Sequence, residues 1–237
     1  MAEIVLLHGA WHGGWCWAPV AARLRAAGHR VTTPTQTGLG ERRHLLSDAL
    51  TLETFGRDLI EHLIFEDLTE AVLVGHSFGG NALSVAAERV PERIARLVHL
   101  DALLLEGGES GLSRVPPEVA EARRAAARAH DGGVSIPPPP PEAFGVTDPE
   151  QAAWLTARLT PHPLSVYESP LPIDGAPGNG LPCLYVECVD PVYAPLASSR
   201  ERARAWGWRV ETLATGHDAM VSDPEATARL IATETRA

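Results

Sequence analysis

Ala71-Val72-Leu73-Val74-Gly75-His76-Ser77-Phe78-Gly79-Gly80 decides the fold: an apolar strand-like run enters a Gly-x-Ser-x-Gly motif, and a helix-like segment, Asn81 to Arg89, leaves it. A sharp turn from strand to helix strains the backbone of the central residue. Glycines two before and two after it remove the Cβ atoms that would clash there. The Ser77 hydroxyl is thereby pushed out above the carboxyl end of a sheet, beside backbone N–H groups and the positive end of the helix dipole. The bare motif also occurs in ordinary tight turns, so the flanking strand and helix carry the argument. His76 adjoins Ser77 but should diverge from it on such a turn, as a structural or pocket-wall residue.

Outward from this turn, short β-type runs alternate with helical segments. The strands are expected over Glu3 to Leu7, Arg30 to Thr33, Glu70 to Gly75, Ile94 to Leu100, Cys183 to Glu187 and Trp208 to Leu213. Leu52, Phe55, Leu59 and Leu63 recur at helical spacing with Glu53, Arg57 and Glu61 opposite them, which is an amphipathic helix. Another helix runs from about Trp17 to Ala27 and stops at Gly28, and the last opens at the capping pair Asp223-Pro224. This is an α/β pattern: a mostly parallel sheet of about six strands with helices on both faces. The alternation breaks between Asp101 and Gly180, where an Arg- and Ala-rich stretch precedes five prolines, Pro137 to Pro141. We therefore divide the chain into a core, residues 1–101 and 181–237, and a lid insertion, residues 102–180. The prolines read as a stiff spacer within the lid rather than as a ligand for a partner domain. Trp154 and Leu155, near Leu159, suggest a lid helix facing the body.

The bulk numbers narrow the function. With 237 residues and 45% hydrophobic content the chain can bury one sizeable core. Every one of its 20 cations is an arginine, and 30 acidic residues leave a net charge of −10, a surface that repels nucleic acid and anionic membranes. No window is apolar for long enough to span a bilayer and the first residues lack a basic leader, so a cytoplasmic location is expected. Cys16, Cys183 and Cys188 match neither a redox pair nor a zinc spacing and are expected to be buried thiols; no metal is implied.

A serine hydroxyl needs a base with a pKa near neutrality, and the base needs an acid to fix its tautomer. Of ten histidines, His217 lies after the last expected strand and before the last helix, where such a base belongs. Asp190 and Asp101 both end strands. Asp190, on the penultimate strand, is preferred as the acid, and Asp101 becomes a supporting residue; Asp218 reads as a supporting or surface carboxylate. An oxyanion needs two N–H donors, assigned to Phe78 and to Ala10 in the glycine-rich loop His8-Gly9-Ala10-Trp11-His12-Gly13-Gly14. Gly9, Trp11 and Trp154 are the candidate substrate-contacting residues.

His8-Gly9-Ala10-Trp11-His12-Gly13-Gly14-Trp15-Cys16-Trp17, Thr37-Gly38-Leu39-Gly40 and Gly75-His76-Ser77-Phe78-Gly79-Gly80 together resemble the plant methylesterase and hydroxynitrile lyase group of the α/β-hydrolase fold, with its bacterial esterase relatives. The resemblance covers the first hundred and last fifty residues well and the lid only loosely. It implies no cofactor, a small lid, compact and often aromatic ester substrates, and the same triad and donors. Lyases of the group carry a Thr in the first oxyanion loop and a Lys directly after the triad histidine. Gly9 and Asp218 occupy these positions here, and a carboxylate there would oppose a departing anion, so ester hydrolysis ranks above lyase activity. The same site would also serve a lactonase or a cyclase, and a member of the fold kept only for ligand binding is the remaining alternative. A small ester or lactone is the expected partner, and an apolar lid would suit a homodimer interface.

Overall fold

The computed structural model describes residues 1–235. β1 (Glu3–Leu7), α1 (Ala18–Ala26), β2 (Arg30–Thr32), α2 (Leu52–Phe65), β3 (Ala71–His76), α3 (Gly80–Arg89) and β4 (Ile94–Leu100) follow one another in the first hundred residues. Next come α4 (Pro117–Asp131), β5 (Ser135–Ile136), α5 (Pro149–Thr156), β6 (His162–Pro163) and α6 (Leu164–Glu168). β7 (Cys183–Cys188), α7 (Ala197–Ala205), β8 (Arg209–Leu213), α8 (Ala219–Ser222) and α9 (Pro224–Thr233) complete the chain. Six strands form one parallel sheet in the order β2-β1-β3-β4-β7-β8, and β5 pairs antiparallel with β6 in a separate ribbon. This is the α/β-hydrolase fold.

β3 is buried along its whole length because helices cover both faces, which explains its unbroken apolar sequence. α2 and α3 pack closely: a Cβ added at Gly56 would come within 2.4 Å of the Val85 side chain. Thr51 and Thr54 form a reciprocal capping box at the start of α2, and Asp223 accepts from the Ala226 N–H to cap α9. The segment between β4 and β7 crosses the carboxyl end of the sheet. Its anchors are a hydrogen bond from Trp11 Nε1 to the Ile136 carbonyl and one from the Thr160 N–H to the Trp11 carbonyl. The proline run is half-buried and enters a helical turn at the buried Pro141.

Strand ends differ from the sequence reading by a residue or so. Cys183 is only half-buried, at the open end of β7, whereas Cys16 and Cys188 lie in the interior. Among the described residues, no helix is long and apolar enough to cross a membrane.

Candidate active site

Ser77 follows β3 directly with φ of 52°, in the left-handed region that a serine adopts only under constraint. The constraint is visible. A Cβ at Gly79 would sit 2.3 Å from the His8 carbonyl oxygen, and one at Gly9 would sit 2.8 Å from the Ser77 Cβ, so only glycines let these segments meet. The Leu103 N–H donates to the Ser77 carbonyl at 3.0 Å and pins the turn from the far side.

The structure brings His217 to this hydroxyl. Ser77 Oγ donates to His217 Nε2 at 2.9 Å, and His217 Nδ1 donates to a carboxylate at 2.7 Å. That carboxylate is Asp101, not Asp190, which corrects the assignment made from sequence. Asp101 lies immediately after β4, the neighbour of the nucleophile's strand, and its φ of 39° turns the side chain inward. It is fully buried. Its second oxygen accepts from Arg200 Nη2 at 2.9 Å, so both oxygens are satisfied by cationic or imidazole donors. Asp190 is exposed and its side chain makes no hydrogen bond among the described residues. The loop after β7 brings Tyr193 to the site instead, its ring stacked on the His217 imidazole with centroids 4.1 Å apart. Position at a strand's carboxyl end does not distinguish the two aspartates; what decides is which loop turns inward, and that depends on packing against α7.

The partners of His8, His12 and His76 fix the state of each ring. His8 Nδ1 donates to the Gly9 carbonyl at 2.8 Å while its Nε2 accepts from the Gln36 N–H, so the ring is neutral, and burial holds its pKa down to about 3. Gly9 C=O and Ala10 N–H belong to one peptide unit, so His8 fixes the plane of the Ala10 donor. Neither the Ala10 nor the Phe78 N–H donates to a protein acceptor among the described residues, and both residues line the cavity at Ser77. His12 differs. Its Nδ1 faces the Ala10 carbonyl at 2.7 Å and its Nε2 faces Asp218 Oδ2 at 3.0 Å; both partners are acceptors, so the ring must carry two protons. Burial alone would lower its pKa, but the Asp218 charge and hydrogen bond raise it, and the same pairing lowers that of Asp218. Asp218 is therefore neither on the surface nor a bare charge at the base: it is buried and neutralised by His12, and it ties the oxyanion loop to the base loop. His76 turns away from Ser77 and donates from Nε2 to the His217 carbonyl at 3.0 Å.

The His12→Ala substitution strands the Asp218 charge in the interior and should cost about 3 to 5 kcal/mol, read as a large drop in Tm. A loss below about 1 kcal/mol would mean that the pair contributes nothing.

A pH dependence follows from the neutral histidines. Burial lowers the pKa of His8 and His99 to about 3, and that of His76 and His162 well below the ordinary value. In the unfolded chain each would protonate near pH 6.5, so from about pH 6.5 downward the unfolded state binds more protons than the folded one. Each such histidine then removes about 1.4 kcal/mol of stability per pH unit. The raised pKa of His12 adds no opposing slope there, since its contribution is already complete below pH 6.5. Urea midpoints should fall steeply between about pH 6 and 4, and should decline again as the pH rises above about 6.5, where folded His12 keeps a proton that the unfolded chain releases; a flat profile down to pH 4 would contradict the assignment of the neutral histidines.

The cavity above Ser77 is lined by Trp11, Phe78, Phe144, Tyr167, Leu196 and Arg123, among others. Trp11, with φ of 65°, is one wall, and its ring meets Phe144 and Tyr167. Trp154 does not reach this cavity. It packs edge-on against Trp15 with centroids 5.1 Å apart, on the outer side of the oxyanion loop, which corrects its assignment to substrate contact. Helical periodicity shows that α5 has an apolar face but not which surface that face covers. Gly9 contributes close approach rather than a wall. His76, His217 and Asp218 could each offer an atom within 4.8 Å of the others, but both His217 nitrogens and His76 Nε2 already hold protein hydrogen bonds, which leaves little for a metal.

A strained serine at a strand-to-helix turn, with an imidazole and a carboxylate in line behind it, has the architecture of a serine hydrolase site on an α/β-hydrolase sheet. The chain belongs to the alpha/beta hydrolase family, whose profile matches residues 4–230. It is 38% identical over 247 residues to a carbendazim hydrolyzing esterase of Nocardioides sp. (strain SG-4G), across 98% of this chain and 99% of that protein. It is 33% identical to methyl jasmonate esterase 1 of Vitis vinifera over 67% of this chain and 61% of the plant protein. Among solved structures, an extracellular alpha/beta-hydrolase from a Paenibacillus species superposes with a TM-score of 0.82 over 100% of both chains at 24% identity. A pyrethroid hydrolase from Sphingobium faniae JZ-2 superposes with a TM-score of 0.74 at 25% identity, over 99% of this chain and 97% of that one.

Proposed function

We propose that this chain hydrolyses small carboxylic esters through an acyl-enzyme on Ser77. The observation that carries the reading is the unbroken relay from Ser77 Oγ through His217 to Asp101, at 2.9 and 2.7 Å. Ser77 Oγ attacks the carbonyl carbon as its proton passes to His217 Nε2, and the Ala10 and Phe78 N–H groups receive the oxyanion. The C–O bond then breaks, and the imidazolium returns its proton to the leaving alcohol. Water, deprotonated by the same nitrogen, attacks the acyl carbonyl, releases the acid and restores the serine. Asp101 holds the imidazole in the Nδ1–H tautomer and stabilises its charged form, and Arg200 holds Asp101. Residues 102–180 act as the lid: Phe144, Tyr167 and Trp11, which that segment anchors, keep the acyl-enzyme in an apolar enclosure. Relatives named as esterases support the reaction class.

The residue directly after His217 is not the cation that lyases of the group carry there. The position after His217 holds a carboxylate already neutralised by His12, so it neither repels nor attracts a departing anion strongly.

A fluorophosphonate should label Ser77, located by peptide mass, and short-chain p-nitrophenyl esters, aryl methyl esters and lactones should be compared by product analysis. Acid and alcohol formed with a Ser77 adduct support the esterase. Faster lactone opening moves the reading to a lactonase, and tight ester binding with neither adduct nor product makes the chain a ligand-binding member of the fold.

A further inference from the structure

We propose that the cavity at Ser77 takes esters bearing a second, anionic group, foremost the monoesters of dicarboxylic acids, and that Arg123 binds their free carboxylate; this rests on the esterase reading above. The arginines around the cavity are nearly all spoken for. Arg124 pairs with Glu168 at 2.7 Å, Arg128 with Glu121 at 2.5 Å, and Arg114 and Arg202 share Glu109 at 3.2 and 2.5 Å. Arg123 is different: among the described residues it forms no ion pair and donates no hydrogen bond, although it is half-buried on α4 and lines the catalytic cavity.

Its guanidinium carbon lies 4.9 Å from the centre of the Tyr167 ring, and that ring packs against Phe78, the residue after the nucleophile, at 4.5 Å between centroids. Stacking on a buried aromatic ring fixes the plane of the guanidinium and leaves its N–H edges free. A planar fork held this way suits a carboxylate, which accepts two parallel N–H bonds. Beside it in the same cavity, Arg114 Nε is buried without a partner, a second donor with nothing to bond. In a protein of net charge −10, a half-buried cation without a counter-charge is unusual, and removing part of its hydration favours an anion that enters the cavity. Leu103, Val115 and Leu196 supply apolar wall in the same cavity, which accommodates the hydrocarbon spacer of such a substrate.

The test compares kcat/KM for monomethyl succinate, glutarate and adipate with that for their dimethyl esters. The wild type should favour at least one half-ester, and Arg123→Gln should lower that half-ester-to-diester ratio about tenfold or more. Arg124→Gln, whose guanidinium is engaged with Glu168, should leave the ratio unchanged. Calorimetric binding of glutarate to Ser77→Ala and to the Ser77→Ala, Arg123→Gln double variant removes chemistry from the comparison, and binding should weaken about tenfold in the double variant. A ratio insensitive to Arg123→Gln, or equal glutarate binding by both proteins, overturns the proposal. Glutarate binding that depends on Arg123, in a protein that turns over no ester, upholds the anion site while the esterase reading fails.

Discussion

Replacing Ser77 with alanine should lower kcat for p-nitrophenyl acetate by about 10⁴-fold or more and abolish fluorophosphonate labelling, with Tm nearly unchanged. The size of the effect follows from the relay. Without Oγ, His217 Nε2 has no hydroxyl to deprotonate, and only the oxyanion donors and substrate positioning remain, which supply a small residue of the rate. Stability should survive because the substitution removes one hydroxyl at the cavity and leaves the glycine packing at Gly9 and Gly79 intact. Retention of more than a few per cent of the turnover would place the nucleophile elsewhere.

Asp101→Asn should be comparably severe, about 10⁴-fold in kcat, while Asp190→Asn should stay within about twofold. The reason lies in Arg200. The substituted amide would have to turn its carbonyl toward that guanidinium, which only donates, and its NH₂ would then face His217 Nδ1. Nδ1 would become an acceptor, the ring proton would move to Nε2, and the imidazole could no longer take the serine proton. Asp190 is exposed and its side chain makes no hydrogen bond among the described residues, so its charge is screened by solvent. Collapse of activity in Asp190→Asn with Asp101→Asn unaffected would reverse the assignment. Thermal melts of both variants separate lost chemistry from lost folding, since Asp101 also neutralises a buried arginine.

These two aspartates also mark how far the sequence could be read. The sheet was legible because parallel strands under helices are written as largely apolar runs, such as Ile4 to Leu7 in β1 and Ala71 to Val74 in β3, with only Arg96 and His99 interrupting β4 and Glu187 interrupting β7. The turn at Ser77 was legible because its glycines are demanded locally, by a Cβ that has nowhere to go. Asp101 against Asp190 was not, because both follow apolar strands and the difference lies in Arg200, 99 residues from one of them, reaching in from α7. Trp154 was misplaced for a related reason: α5 could have turned its ring to the cavity, but Trp15 already offered it a surface. The charge of His12 had no sequence signal. It emerges only when two acceptors, the Ala10 carbonyl and Asp218, close on one ring. Arg123 was equally hidden, one of several arginines in a stretch whose pairing is set entirely by the folded partners.

Ser77 and His217 are separated by 140 residues, yet they share a hydrogen bond. At about 5 to 20 residues per second, a ribosome exposes the serine roughly 7 to 28 s before the histidine it depends on. During that interval the nascent polypeptide carries an alcohol no more reactive than any other, and a product terminated before residue 217 never becomes a catalyst. On the proposed mechanism, chemical competence thus arises only after residue 217 has been made, and a shorter translation intermediate does not attack esters around it.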